Sequence, residues 1–264
     1  MDHVTIAASP RRTTEPSFLF VHGFLGGTAS WDALRARVSP TLRTHALSLF
    51  GHGAERARDE GEVRSFDDEI SRLLATIEGQ SFDTLVGYSL GARVALGMAA
   101  RSRRSFSRVV LVSGRDGLGA SDEAAARRDV DDALADVLDT RGLPAFVDRW
   151  EALPLFDSQR ALPDAERAAH RARRLAHDPA RVSRALRVLS LGRMPRYGRD
   201  AVARSGRVEL VVGEHDTKFR ELAQRFQADH AHLGDVRVHV IAGAGHDVVL
   251  ERPDALAAIL EERA

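Results

Sequence analysis

The sequence predicts an α/β fold: a mostly parallel, doubly wound sheet that is interrupted by a helical insertion. Through the first 113 residues, short apolar runs that end in glycine-rich turns alternate with helical patterns. No convincing strand occurs from Arg115 to about Gly206, and strand character then returns near the C-terminus. Alternating strands and helices imply right-handed crossovers, which place helices on both faces of a parallel sheet.

Six apolar runs of three to six residues are the predicted strands. They are Phe18–Val21, Ala46–Leu49, Thr84–Val86, Val109–Val112, Val208–Val212 and Val236–Ile241. Helical periodicity predicts helices between and after them, at Ser30–Val38, Phe66–Glu78, Leu90–Arg101 and Pro253–Glu262. Ser65, with Asp68 three residues later, is typical of an N-terminal cap for the second helix.

The chain therefore divides into a core at 1–114 and 207–264 and a helical lid, or cap, at 115–206. Alanine- and arginine-rich amphipathic segments, punctuated by five prolines, form the insertion. It is much longer than a crossover between two strands requires. Because ligands of open α/β sheets bind at the carboxyl ends of the strands, we interpret it as a lid over a pocket. The alternative is a passive helical layer on one face of the sheet.

Composition narrows the class of partner. Basic and acidic side chains are equal at 38 each, so no overall field favours nucleic acid or a membrane surface. The start of the chain has no apolar run long enough for a signal peptide, and no later run approaches a membrane span, so a cytoplasmic location is expected. Cysteine is absent, which excludes disulfides and thiol chemistry. Neither a metal-ligand spacing nor a dinucleotide fingerprint is present, so no cofactor is expected, and the oligomeric state is left open.

A reactive serine is predicted at Ser89. The segment Gly87-Tyr88-Ser89-Leu90-Gly91 matches the G-x-S-x-G nucleophile elbow of α/β-hydrolases, and it lies between a strand and a helix as that turn requires. Larger flanking residues would collide with the backbone across so sharp a turn. The sequence thus specifies the predicted fold class as an α/β-hydrolase fold.

The base and its acidic partner are predicted from chain order, which runs Ser, Asp, His in this fold. His246 stands in a glycine-rich loop after the last strand, and the other ten histidines fit the base less well. Asp216 follows the strand Val208–Val212 and is the preferred acid. Glu214 is its nearest rival, whereas Asp247 is too close to His246 in sequence to orient it comfortably.

Two backbone amides are expected to form an oxyanion hole. One belongs to Leu90, directly after the serine, and the other to the loop after the first strand, where Phe24 is the favoured residue. His22 in that loop is better interpreted as a residue that orders the loop than as a catalyst.

Positive charge gathers near the predicted site. Arg93 lies on the first turn of the helix after Ser89, and Lys218, the only lysine in the chain, stands two residues after Asp216. The insertion adds Arg127, Arg128, Arg173 and Arg174. With no net charge overall, this clustering favours a small polyanionic substrate over a polymer.

The segments around these residues resemble the 2-succinyl-6-hydroxy-2,4-cyclohexadiene-1-carboxylate (SHCHC) synthases of menaquinone biosynthesis. The resemblance runs from near residue 18 to the C-terminus, and most of it is shared with α/β-hydrolases generally. The discriminating segments are Tyr88-Ser89-Leu90-Gly91 followed by Arg93, and Asp216-x-Lys218-Phe219, together with Trp150 ahead of Pro154-Leu155-Phe156. Phe50 and Ala92 depart from the usual proline and glycine of the family.

The resemblance implies a lyase that eliminates pyruvate, in which Ser89 acts as a base and no acyl-enzyme forms. It implies that Arg93 holds a substrate carboxylate with Lys218 nearby. It also places Arg127, Arg174, Trp150, Tyr88 and His22 among the substrate-binding residues. Two alternatives stay open from the sequence: a serine hydrolase acting through an acyl-enzyme on esters, thioesters or carbon–carbon bonds, and a non-catalytic binding module.

Overall fold

A computed structural model describes residues 16–53 and 63–262 of the chain. Six strands form its sheet. The strands are β1 (Ser17–Val21), β2 (Arg43–Leu47), β3 (Thr84–Tyr88), β4 (Arg108–Val112), β5 (Arg207–Gly213) and β6 (Asp235–Ile241). Five of them contain a predicted apolar run in full, whereas β2 contains only the first half of the run predicted at Ala46–Leu49. All described strand pairs are parallel, in the order β2-β1-β3-β4-β5-β6, so the predicted fold class is confirmed.

The strand order reverses between β1 and β3. The chain first moves outward from β1 to β2 and then returns to place β3 on the other side of β1. At such a switch point the loops that follow the two strands diverge, and the crevice between them is the usual ligand site of an open α/β sheet. The residues after Val21 and after Tyr88 therefore lie side by side at the carboxyl edge of the sheet.

Ten helices flank or cover the sheet within the described residues. They are α1 (Asp32–Arg35), α2 (Phe66–Thr76), α3 (Leu90–Arg101), α4 (Ser121–Glu151), α5 (Asp164–Leu175), α6 (Pro179–Val188), α7 (Gly198–Arg204), α8 (Thr217–His230), α9 (Val248–Glu251) and α10 (Pro253–Glu261). The N-terminal helix cap predicted for α2 is present, because the Ser65 hydroxyl accepts a hydrogen bond from the Asp68 amide at 3.1 Å. The helix predicted at Ser30–Val38 is shorter: a 3₁₀ turn at Thr28–Trp31 precedes the single turn of α1.

Two hydrophobic layers hold the sheet, one on each face. Alternation along β1 sends Leu19 and Val21 into the layer against α2, α3, α7 and α8, and Phe18 and Phe20 into the layer against α1, α9 and α10. The strands β3, β4 and β5 are buried along nearly their whole length, which is why they read as continuous apolar runs in the sequence.

The segment between β4 and β5 contains only helices. Its longest helix, α4, is broken at Gly142, where φ is 76°, and Pro144 follows the break. Leu138, Phe146 and Val182 form a small separate core with Leu25 of the loop after β1. The last helix, α7, instead packs against α3 and leads into β5, as a crossover helix does. The cap proper therefore ends before α7.

No helix in the described parts of the chain combines the length and apolarity that a membrane span needs.

Candidate active site

Ser89 occupies a sharp turn between β3 and α3. Its backbone lies in a disfavoured region, with φ 51° and ψ −108°. A side chain at Gly91 would place its Cβ 2.0 Å from the carbonyl oxygen of Val21, and one at Gly87 would lie 2.3 Å from the Gly91 oxygen. The two glycines are thus required by close backbone packing, and the turn presents the Ser89 hydroxyl at the carboxyl edge of the sheet.

His246 and Asp216 complete a hydrogen-bonded chain with Ser89. The Nε2 atom of His246 lies 3.1 Å from Ser89 Oγ, and its Nδ1 lies 2.6 Å from Asp216 Oδ2. A protonated Nδ1 donates to the carboxylate, which leaves Nε2 to accept the serine proton. His246 is 1% exposed and Asp216 is 7% exposed, so the hydrogen bond between these two side chains is shielded from bulk water. This geometry suits a serine activated by a general base.

The two rival carboxylates are committed elsewhere. Glu214 accepts a hydrogen bond from the Gly243 amide at 2.8 Å. Asp247 caps α9 by accepting from the Leu250 amide at 3.1 Å, and its burial raises its pKa to about 6. Asp216 alone faces the imidazole of His246 among these three, and its second oxygen caps α8 through the Phe219 amide.

A hydrogen bond to the backbone and contacts with aromatic rings fix the loop that carries His246. Ser113, which directly follows β4, donates its hydroxyl to the His246 carbonyl at 2.7 Å. The ring of Phe219 lies 4.5 Å from the imidazole centroid, and the rings of Tyr88 and Phe156 lie 5.7 and 6.1 Å away. Besides its hydrogen bonds to Asp216 and Ser89, the imidazole is therefore held in place by a hydrogen bond to the His246 backbone and by three aromatic rings.

Phe24, in the loop after β1, lines the same cavity as Ser89 and Leu90. Within the described residues, no acceptor takes a hydrogen bond from the amides of Phe24 or Leu90. The neighbouring Leu25 amide is fixed instead, because it donates to His52 Nε2 at 3.1 Å. An oxyanion hole requires two uncommitted donors of this kind, so the pair Phe24 and Leu90 stays a prediction.

His22 lies behind this loop, and the substrate-binding role implied for it is corrected by the structure. Its side chain is 0% exposed, and it lines neither cavity beside Ser89. Nδ1 donates to the Gly23 carbonyl at 2.8 Å, and Nε2 accepts from the Leu49 amide at 3.1 Å. Burial lowers the pKa of His22 to about 4, so the ring is neutral and orders the loop.

A cavity of about 450 Å³ extends from Ser89 beneath the cap. Core and cap both line it. The predicted residues on its wall are Phe24, Ser89, Leu90, Arg93, Arg127, Trp150, Asp216, Lys218 and His246. The cap contributes apolar residues as well, among them Leu153 and Leu189. The insertion therefore forms one wall of the chamber into which Ser89 opens.

A second, smaller cleft of about 50 Å³ is also lined by Ser89. Tyr88 and Arg174 line this cleft rather than the larger cavity. Arg174 is buried, pairs with Glu151 at 2.9 Å and stacks over the Phe156 ring at 5.2 Å. The predicted residues are thus divided between two spaces that share Ser89.

The cations of the larger cavity differ in how far they are already neutralised. Arg127 contacts both oxygens of Asp131, at 2.9 and 3.0 Å. Arg93 donates to the Leu189 carbonyl at 3.2 Å but has no carboxylate within ion-pair distance in the described chain. Its burial and the nearby Arg127 lower its pKa to about 9. Lys218 is exposed at the rim, also without a described ionic partner.

Arg115 is a cavity residue that the sequence analysis did not single out. It stands three residues after the end of β4 and lines the cavity with Arg93 and Lys218. The signal that located Asp216, a polar residue just past the carboxyl end of a strand, applies equally to Arg115. The absence of strand character after it marks Arg115 in the sequence only as the start of the insertion. Within the described residues, no group of three His, Asp or Glu side chains is arranged to hold a metal ion.

Residues 18–259 match the model of the alpha/beta hydrolase family. The SHCHC synthase of Shigella flexneri is 31% identical over 249 residues, which are 94% of this chain and 93% of that enzyme. The structure of MenH from S. aureus superposes with a TM-score of 0.85 at 30% identity, covering 95% of this chain and 93% of that one.

A plant relative is much longer. Protein PHYLLO of Arabidopsis thaliana is 30% identical over 249 residues, which are 89% of this chain but 14% of that protein. The chain therefore spans about one seventh of PHYLLO, whereas it matches the bacterial synthase almost from end to end.

Proposed function

Since this chain belongs to the alpha/beta hydrolase family and, within it, to the SHCHC synthases, we propose that it eliminates pyruvate from 2-succinyl-5-enolpyruvyl-6-hydroxy-3-cyclohexene-1-carboxylate. The product is SHCHC, and the step belongs to menaquinone biosynthesis. The observation that carries the proposal is the hydrogen-bonded triad Ser89–His246–Asp216, which lines a cavity together with three arginines.

The names of substrate and product define the bonds that change. A hydrogen leaves carbon 2, the ring double bond at position 3 is replaced by double bonds at positions 2 and 4, and the enolpyruvyl group leaves carbon 5. The C2–H electrons form the new C2–C3 double bond, the C3–C4 pair moves to C4–C5, and the C5–O bond breaks. The departing enolate takes up a proton and becomes pyruvate, so atoms and charge balance.

Ser89 is proposed as the base that removes the proton from carbon 2. His246 Nε2 accepts the hydroxyl proton as Ser89 Oγ takes the substrate proton, and Asp216 stabilises the imidazolium that forms. No bond between Ser89 and the substrate is needed, because the reaction transfers no acyl group.

The oxyanion hole has a place in this elimination. Carbon 2 carries the succinyl carbonyl, so its deprotonation develops negative charge on that carbonyl oxygen. The free amides of Phe24 and Leu90 are proposed to donate to this enolate oxygen. Aligned donors in a site shielded from water typically supply the largest part of such a rate enhancement.

Charge recognition supports a substrate with three carboxylates. Arg93 and Lys218 lack ionic partners in the described chain, and Arg127 and Arg174 stand at the walls of the two spaces beside Ser89. A guanidinium pairs with a carboxylate through two parallel hydrogen bonds, which explains the use of arginine. Trp150 and Tyr88 are proposed to provide apolar walls for the ring. A cytoplasmic location is retained as a prediction.

The experiment follows the two products separately. Diene absorbance and pyruvate release are measured for the wild type, Ser89→Ala and His246→Gln, with His45→Gln on the exposed edge strand β2 as the matched control. Both site variants should lose about 10²–10⁴-fold in turnover, the usual contribution of a positioned base, while the control stays at the wild-type rate. Equal release of pyruvate by all four proteins, or none by the wild type, would refute the proposal.

A further inference from the structure

Arg115 lines the larger cavity and follows a backbone segment that hydrogen bonds and close packing fix in place. The preceding Ser113 has φ 48°, its amide donates to the Val211 carbonyl at 2.8 Å, and its hydroxyl donates to the His246 carbonyl. A Cβ on the intervening Gly114 would lie 2.7 Å from the Ala92 side chain, so this segment packs directly on α3 beside Arg93. The position of Arg115 is therefore coupled to the same backbone that fixes the imidazole.

The guanidinium of Arg115 has no ionic partner in the part of the chain that the structure describes. Its Nε donates to the Asp116 carbonyl at 3.1 Å, which leaves the two terminal nitrogens uncommitted. The Asp116 carboxylate is used elsewhere: it accepts from the amides of Gly117 and Tyr197 at 2.8 and 2.9 Å, and it faces Arg196. Burial lowers the pKa of Arg115, and the attraction of the more distant Glu123 carboxylate, which forms no ion pair with it, opposes this effect only in part.

The charges around the cavity do not balance. Four cationic side chains line it (Arg93, Arg115, Arg127 and Lys218), against two carboxylates (Asp131 and Asp216). Both carboxylates are already engaged. Asp131 binds Arg127 and the Ser190 hydroxyl, and Asp216 binds His246. The half-buried Arg93 and Arg115 thus face a common space without counterions, and the charge of Arg115 contributes to the lowered pKa of Arg93.

We propose that Arg115 is a further substrate-recognition residue, which forms with Arg93 a two-guanidinium site for one carboxylate of the polycarboxylate substrate. The inference rests on the proposed function for the identity of that substrate. A carboxylate placed between the two groups would supply the missing counterion. It would accept hydrogen bonds from guanidiniums that packing has already oriented, so that little further ordering is required.

Binding is tested without turnover. In a Ser89→Ala background, calorimetry measures the affinity for propane-1,2,3-tricarboxylate in proteins that carry Arg115→Gln or Arg115→Lys. The matched control is Arg103→Gln, at an exposed position between α3 and β4, at the amino edge of the sheet and away from the cavity. Loss of one charged hydrogen-bonding partner should weaken binding about 10-fold or more in Arg115→Gln, with an intermediate loss in Arg115→Lys and none in the control. Equal affinities in all of these proteins, or no saturable binding before Arg115 is changed, would overturn the proposal.

Turnover separates this proposal from the proposed function. With Ser89 intact, Arg115→Gln should raise KM for the cyclohexene substrate about 10-fold and change kcat much less, because Arg115 recognises a carboxylate and does not contact the transferred proton. If the wild type releases no pyruvate, the proposed function fails while the calorimetric result still decides the role of Arg115. If the wild type is active and Arg115→Gln has an unchanged KM, the role of Arg115 fails alone.

Discussion

At the residue scale, the site is built from side chains whose partners decide their roles. His22 and His246 both follow strands in glycine-containing loops, and sequence alone separates them only by chain order. The structure separates them by hydrogen bonding: both nitrogens of His22 are bound to the backbone, whereas His246 links a carboxylate to Ser89. A histidine with no free nitrogen orders a loop, and one with a serine at Nε2 can move a proton.

Arg93 and Lys218 should contribute unequally to recognition of the substrate. Arg93 is half-buried and Lys218 is exposed, so water screens the lysine far more. We expect Arg93→Ala to lower kcat/KM for the cyclohexene substrate, which carries three carboxylates, by about 10- to 100-fold, and Lys218→Ala to lower it by only a few-fold. Hydrolysis of p-nitrophenyl acetate, an uncharged ester, is the control. Equal losses on the charged and uncharged substrates would show that these side chains do not recognise carboxylates.

Asp247 should destabilise the folded protein at neutral pH. Burial is the main reason that its pKa is raised to about 6 from an ordinary value of 3.8. Between these values the folded state retains a proton that the unfolded state releases, so the contribution of Asp247 to stability falls as pH rises toward 6 and stays low above it. The partners that face it are Arg174, Glu251, His246 and Tyr88.

Asp247→Asn tests this directly, since asparagine can still cap α9. The variant should gain on the order of 2–3 kcal/mol in the free energy of unfolding at pH 8 and almost nothing at pH 4. Urea unfolding at the two pH values measures the difference. Asp129→Asn, at an exposed position in α4, is the control and should change stability by less than about 0.5 kcal/mol at either pH. A gain that is the same at pH 4 and pH 8 would contradict the assignment.

At the scale of elements, the sequence predicts the core better than the cap. The bounds of α3 match the prediction because the nucleophile turn and the apolar periodicity both mark them. In the insertion, alanine and arginine repeat, and neither α4 nor α5 begins with a side-chain cap, although Asp178 caps α6. The pattern therefore shows helices but not where most of them end or how they pack. The assignment of 198–204 to the lid illustrates this, because α7 packs on α3 through contacts that no local pattern reveals.

Gly142 should control the shape of the cap. Its φ of 76° with ψ of 175° breaks α4 in a region that is open almost only to glycine. Gly142→Ala should cost about 1–3 kcal/mol, observed as a lower midpoint in thermal unfolding and faster amide exchange in α4 and α6. Gly27→Ala is the matched control, because Gly27 has extended backbone and no atom lies within 4 Å of its added Cβ. Identical behaviour of the two variants would show that the break does not depend on glycine.

At the scale of the whole molecule, positive charge is concentrated in one cavity although the protein has no net charge. The net charge is zero, yet four cations line one cavity against two engaged carboxylates. Composition excluded a general affinity for polyanions and left a local one to be found. Arg93 and Lys218 were predictable because they lie within the reactive segments. The position of Arg115 after β4 was visible in the sequence, but its role was not. That role depends on the Asp116 carboxylate being engaged by the amide of Tyr197, which is distant in the sequence, and only the fold determines this contact.

The central claim is that Ser89 removes a proton and forms no covalent intermediate. It is tested most directly by intact-protein mass spectrometry of samples quenched in acid during turnover of the cyclohexene substrate, with pyruvate counted in the same samples. A serine-reactive fluorophosphonate, which should label the wild type but not Ser89→Ala, shows that an adduct would be detected. Pyruvate should be released while the protein mass stays unchanged at every time point. A substrate-derived mass increase on Ser89 that forms and decays at the turnover rate would contradict it.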